Sequence, residues 1–187
     1  MKYISQKKMC HITKKLYPIE IMIRFVLSSS NILTPDLYHE FHGKEFYVLA
    51  SRKALMKMKA CFCSQDDKVL QQDNNIVSRV DNILLKRIFG SIALARKAGK
   101  VVIGYKKIQR GLSINKIELL LQAKDRSEKS KDLILPETQK TRIECMNRQE
   151  LGSPFKKKSV TNVGFLKSRF TNPLIFDTSR LESLRRC

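Results

Sequence analysis

Apolar side chains along this chain keep two different rhythms, and the change of rhythm predicts where strands give way to helices. Ile19, Ile21, Ile23, Phe25 and Leu27 recur at every second position, which predicts a strand with one face turned to a core. Glu20, Met22, Arg24 and Val26 make its other face. Residues 28–31 read as a turn and 32–34 as a short returning strand. Pro35 either ends that strand or marks it as an edge. Residues 37–41 are ambiguous, His42 to Lys44 form a loop, and 45–50 form a third strand. Ser51 is the expected N-cap of a helix over about 52–60. Ala54, Leu55 and Met58 mark its inner side, and Lys53, Lys57 and Lys59 its wet side.

A polar break at Asp73, Asn74 and Asn75 precedes a long helical stripe: Ile76, Val80, Ile83, Leu84, Ile88, Ile92 and Ala95. Gly90 inside it predicts a close contact or a junction between two helices. The helix should stop at Gly99, since glycine takes positive φ without steric cost. Val101, Val102 and Ile103 favour an extended segment, and Gly104 opens a helix over 105–112 with Ile108 and Leu112 on one face. Residues 116–123 read best as a strand buried on both faces. Beyond it come a polar stretch at 125–131 able to begin a short helix, a loop at 136–141, a strand at 142–146 and a helical turn at 148–151 ending at Gly152. A strand at 160–166 and a last helix over about 178–186 follow, with 167–177 undetermined. The expected fold class is α/β: a small two-layer domain over 1–72 and a layered α/β domain over 73–187.

Charge adds a partner class. Thirty-seven Lys and Arg against 17 Asp and Glu give a formal net charge of +20. Such an excess costs stability through self-repulsion and favours a polyanion, most often nucleic acid. Residues 73–187 carry 25 of the basic and 11 of the acidic residues, so they should dominate salt-dependent affinity. Around the Gly104 turn every charge is positive: Arg96, Lys97, Lys100, Lys106, Lys107 and Arg110. Lys106 and Lys107 fall in the first turn of a helix, where acids are usual because the helix start carries partial positive charge. A bound phosphate resolves that conflict; ordinary solvated helix surfaces are the alternative.

No apolar run reaches the roughly 20 residues a membrane span needs. No secretory leader is apparent, and five cysteines without a regular framework fit a reducing compartment, so a cytoplasmic location is expected. Cys61-x-Cys63 and His39-x-x-His42 lack the paired spacing of a zinc site, and no metal or cofactor is expected. No phosphate-binding loop, nucleophile elbow or dinucleotide fingerprint appears, which argues against an enzyme.

The first half resembles the YlxR family of small bacterial α/β proteins regarded as RNA-binding. The marks are Lys8-Met9-Cys10, Ile23-Arg24-Phe25-Val26, Pro35-Asp36-Leu37, Gly43-Lys44-Glu45-Phe46-Tyr47-Val48 and Ala50-x-Arg52. Glu45 stands where the family loop has a second glycine. The resemblance implies an RNA surface at Lys8, Arg24, Lys44 and Arg52; for Arg24, a plain solvent-facing sheet position is the alternative.

The second half is similar to the kink-turn-binding ribosomal proteins and their bacterial YlxQ-type relatives. It shares LARKAGKVVIG at 94–104, Ala123-x-Asp125 after a strand, and Glu150-Leu151-Gly152 before a basic segment. That resemblance implies a three-layer α-β-α sandwich gripping bent RNA through the helix that starts at Gly104. Lys106 and Lys107 stand where the best RNA binders carry Asn and Glu, so phosphate contact is favoured over base reading. Leu151 and Phe155, beside Lys156, Lys157 and Lys158, would pack on an unstacked base or else belong to the core. The expectation is a non-catalytic, two-domain protein gripping structured RNA in ribosome assembly, translation or RNA processing, with ribosomal or RNA-processing proteins as further partners and no membrane. A DNA-binding or nucleoid-associated regulator, or a protein adaptor in an RNA-processing complex, is the alternative.

Overall fold

The computed structural model describes residues 6–29, 32–63, 75–126 and 141–186. The expected loop at 136–140 and most of the polar stretch at 125–131 lie outside these residues. The fold is α/β. Strands β1 (Lys7–Met9) and β2 (Leu16–Pro18) pair antiparallel, with Met9 opposite Leu16. A 3-10 turn, Ile19–Ile21, leads into β3 (Met22–Leu27), the centre of an antiparallel sheet ordered β4 (Leu33–Pro35), β3, β5 (Lys44–Leu49). Pro35 therefore sits in an edge strand, where its missing N–H leaves no ladder bond unmade. Helix α1 (Arg52–Cys63) follows, with the Ser51 hydroxyl accepting from Ala54 N–H as its cap and Ala54, Leu55 and Met58 buried.

Strand β3 departs from the alternating pattern. Met22 and Val26 are buried almost as fully as Ile23 and Phe25, and Arg24 is buried too, whereas Ile21, outside the strand, is exposed. The period-two pattern assumed one wet face, but the segment after β4 closes over that face through Asp36, so both faces of β3 are covered.

Helix α2 (Ile76–Lys97) runs unbroken through Gly90, where an added Cβ would meet nothing within 4 Å, so the glycine marks neither a junction nor a close contact. Contacts group the chain into Met1–Leu85 with Ser183–Cys187, and Lys86–Glu182, a division that falls within α2. In the first unit Arg185 forks onto Asp81, at 2.7 and 2.8 Å.

In the second unit, α2 ends in paired bonds, Gly99 N–H to the Arg96 carbonyl and Lys100 N–H to the Ala95 carbonyl, with Gly99 at φ +67°. Then come β6 (Val101–Ile103), α3 (Tyr105–Ser113), β7 (Ile117–Ala123), β8 (Thr141–Met146), α4 (Arg148–Gly152), a 3-10 turn Ser153–Phe155, β9 (Asn162–Leu166) and α5 (Thr171–Arg185). The sheet order is β6-β9-β7-β8, parallel only between β7 and β8. Helix α3 lays Ile108 and Leu112 against Ile117 and Leu120 on one face. The other face, with Leu119, Leu121, Val163 and Phe165, is equally buried. The buried sides of α2 (Ile88, Ile92, Ala95) and α5 (Leu174, Thr178, Leu181) supply the second helical layer. Arg87 ties α2 to Asp177 of α5 at 3.0 Å, and Glu144 N–H on β8 donates to Glu182 on α5.

Helix α5 begins seven residues earlier than the apolar pattern suggests. Thr171 anchors its start, accepting from Ser168 N–H and donating to the Leu166 carbonyl. Pro173 falls in the first turn, where its missing N–H has no intrahelical partner to lose.

Candidate nucleic-acid interface

Five basic residues of the second unit, Arg96, Lys97, Lys107, Lys156 and Lys157, gather where three chain segments meet. The first is the end of α2, which carries Arg96 and Lys97. The second is Gly104, whose φ of +96° turns the chain from β6 into α3 without a side chain to cap the helix. The first turn of α3 therefore has neither a side-chain cap at Gly104 nor an acid of its own. The third is the loop after α4. An Asn147–Glu150 capping box fixes the start of α4. Lys156 then turns at φ +55°, and Lys157 N–H returns to the Gly152 carbonyl at 3.2 Å. A Cβ on Gly152 would stand 2.6 Å from the Lys157 carbonyl oxygen, so glycine permits this return.

These segments form three adjoining recesses. One, of about 590 Å³, is mostly apolar, with Ala93 and Leu94 between Arg96, Lys97, Pro154 and Lys156. The next, about 460 Å³, brings Arg96, Lys107 and Lys157 together over Val102 and Phe155. The last, about 360 Å³, lies between Gly104 and Tyr105 on one side and Lys157, Ser159, Thr161 and Asn162 on the other. Arg96 lines the first two and Lys157 the last two, so the recesses neighbour one another and together outline a groove. The Arg96 guanidinium also donates to the Pro154 carbonyl at 2.9 Å.

Among the described residues, no acidic side chain lines the groove. Two acids of this unit, Asp125 and Glu144, are engaged by arginines outside these recesses. Asp125 takes Arg148, whose N–H groups hold its carboxyl below the ordinary range against the upward push of burial. Glu144 takes Arg126 at 2.8 Å and Arg142, and the Arg126 hydrogen bond lowers it likewise. Among the described residues, none of Lys97, Lys107, Lys156 and Lys157 has an ion-pair partner.

Of the residues singled out from the sequence, Arg96, Lys97, Gly104, Lys107, Lys156 and Lys157 meet in the groove. Lys100, Lys106 and Arg110 are exposed but line none of its recesses. Leu151 is wholly buried, so the core alternative holds for it and it offers no base-packing surface. Phe155 is largely buried yet contributes to the floor of the middle recess. Tyr105, Thr161 and Asn162 did not stand out in the sequence; the one signal was a polar Asn inside the apolar run of β9.

In the first unit, Arg24 is not a surface cation. It pairs with buried Asp36, donates to Glu45 at 2.7 Å and to the Phe41 carbonyl at 3.2 Å, and so staples β3 to the segment after β4 and to β5. Lys8 stands with its Nζ 5.4 Å from the Tyr47 ring centre, and Lys44 with its Nζ 5.5 Å from that of Phe46. Arg52 lines a separate recess of about 330 Å³ with Ser78, Asp81, Asn82 and Arg185.

No helix among the described residues is long and apolar enough to cross a membrane. No family model matches the chain, and no curated protein matches it. Among solved structures the chain is similar to a protein with unknown function from Bacillus halodurans C, at 18% identity and a TM-score of 0.40, over 48% of this chain and 96% of that one.

Proposed function

We propose that the second unit is a non-catalytic module that grips structured RNA along the groove running from Arg96 past Lys107 and Lys157 to Gly104. One observation carries the reading: three cationic side chains from three separate segments share one recess with no acid among the described residues on its walls. Phosphates suit that lining, and the start of α3, which carries no acid in its first turn, favours the same ligand. The likeness of residues 94–104 to the kink-turn-binding proteins supports RNA over duplex DNA, as does a groove with an apolar floor beside its cations, suited to unstacked bases. Lys8 and Lys44 add basic, aromatic-backed contacts from the first unit. The buried thiols of Cys10 and Cys145 suit a reducing compartment, and we take the cytoplasm as the place of action.

Competition with labelled protein tests the reading. An RNA hairpin with an internal bulge should displace the label at a concentration at least tenfold below that of a DNA duplex of equal length. Equal or better displacement by the duplex would replace RNA with DNA as the partner.

A further inference from the structure

We infer that Asn162 is a base-reading group, the polar floor of a site for an unpaired nucleobase whose edge presents adjacent acceptors, guanine above all. This rests on the RNA reading and deepens it by naming what the groove selects.

Asn162 opens β9 and lines the recess beside Gly104, although it is only 9% exposed. Its register partner on β7 is Gln122, 2% exposed, which donates Nε2 to Asn162 Oδ1 at 2.8 Å. Two amides buried between strands are a poor choice for stability alone, because every polar atom there needs a partner. That need is not met at Gln122, whose Oε1 is buried without a hydrogen bond. A pair of leucines would fill the same place without leaving an orphan.

The unused groups suit a ligand with a polar edge. Asn162 Oδ1 already accepts from Gln122, so its N–H donors are what remain to face the recess. Paired acceptors, O6 and N7 of guanine, match two donors, whereas adenine sets an amino donor beside its N7. Around this floor the wall is divided by role. Lys157 and the start of α3 take phosphate, while the ring of Tyr105, half exposed at the mouth, offers a stacking face. A bare phosphate would be held by the lysines and the helix start and has no use for a buried amide pair.

The test uses the full chain and four RNA hairpins that differ only in a single-nucleotide bulge, A, C, G or U, with binding read by fluorescence anisotropy. The wild type should bind the guanine bulge at least fivefold tighter than the adenine bulge. The double variant Gln122→Leu, Asn162→Leu should bind all four within twofold of one another, with the salt slope unchanged. Asn162→Asp, which swaps donors for acceptors at constant size, should move the preference from guanine to adenine and cytosine, whose N6 and N4 amino groups donate, and it decides the matter if the double variant does not fold. Binding of all four hairpins within twofold by the wild type overturns the inference while leaving the RNA reading intact. So does a wild-type order of preference that survives in the variants. If the wild type binds none of the four, the RNA reading fails first, and the base site with it.

Discussion

The Arg96 guanidinium donates to the Pro154 carbonyl at 2.9 Å, across 58 positions of sequence, and so joins the end of α2 to the turn that carries Lys156 and Lys157. Arg96 thus has two duties, one as a cation of the groove and one as a clasp on its third segment. Lysine keeps the charge but not the planar fork of donors. Arg96→Lys should therefore lower RNA affinity about threefold with the salt slope nearly unchanged. Arg96→Ala should lower affinity further and reduce the slope by roughly 0.7 to 0.9, the value of one phosphate contact. Filter binding between about 50 and 200 mM salt reads both.

Gly152 makes a second, sharper demand on the same loop. Its added Cβ would meet the backbone of Lys157 and Ser159, at 2.6 and 3.2 Å, and backbone has less freedom to yield than a side-chain tip. Gly152→Ala should cost about 1–3 kcal/mol in stability, as overpacking does, and should weaken RNA binding at temperatures where the protein is folded. Thermal unfolding and anisotropy on the same sample separate the two effects.

In the first unit, the buried pair of Arg24 and Asp36 predicts a pH dependence. Burial pushes the Asp36 carboxyl up, but the N–H groups of Glu40 and Phe41 and the Arg24 charge outweigh it and hold it below its ordinary value. A carboxyl more acidic folded than unfolded contributes stability above its unfolded pKa, near 3.9. That contribution is lost as pH falls through the folded value. Stability should therefore drop steeply below about pH 4. Asp36→Asn should flatten that drop. Arg24→Met leaves the carboxylate buried without its cation and should cost about 3 kcal/mol at neutral pH, less in acid where Asp36 takes up a proton. Chemical denaturation at several pH values checks the sign and the size.

Much of this architecture was legible in the sequence where runs are long. The stripe of α2, the stop at Gly99, the apolar β7 and the inner side of α1 all follow from periodicity and glycine placement. What escaped depends on distant cover. Alternation along β3 suggested a wet face at Arg24, but Asp36, twelve residues on, buries it. The hairpin of β1 and β2 uses strands of three residues, too short to show a period. In the groove, local charge density found Arg96, Lys97, Lys107, Lys156 and Lys157, because lysines bunched at two turns end up close when the turns are neighbours. It did not sort Lys107 from Lys106 or Lys100, since which lysine faces the recess depends on the loop after α4. Leu151 lies in a helix of five residues, where no period separates inside from outside. Asn162 is one polar letter in an apolar strand, and only its pairing with Gln122 gives it meaning.

The most direct test of the groove is the salt dependence of RNA binding by the double variant Lys107→Glu, Lys157→Glu, set beside Lys106→Glu alone. Two phosphate contacts are removed in the first and none in the second, so the log–log slope should fall by roughly 1.4 to 1.8 for the double variant and stay near the wild-type value for Lys106→Glu. A double variant with wild-type slope and affinity, or a Lys106→Glu variant that loses as much, would contradict the groove as the seat of binding.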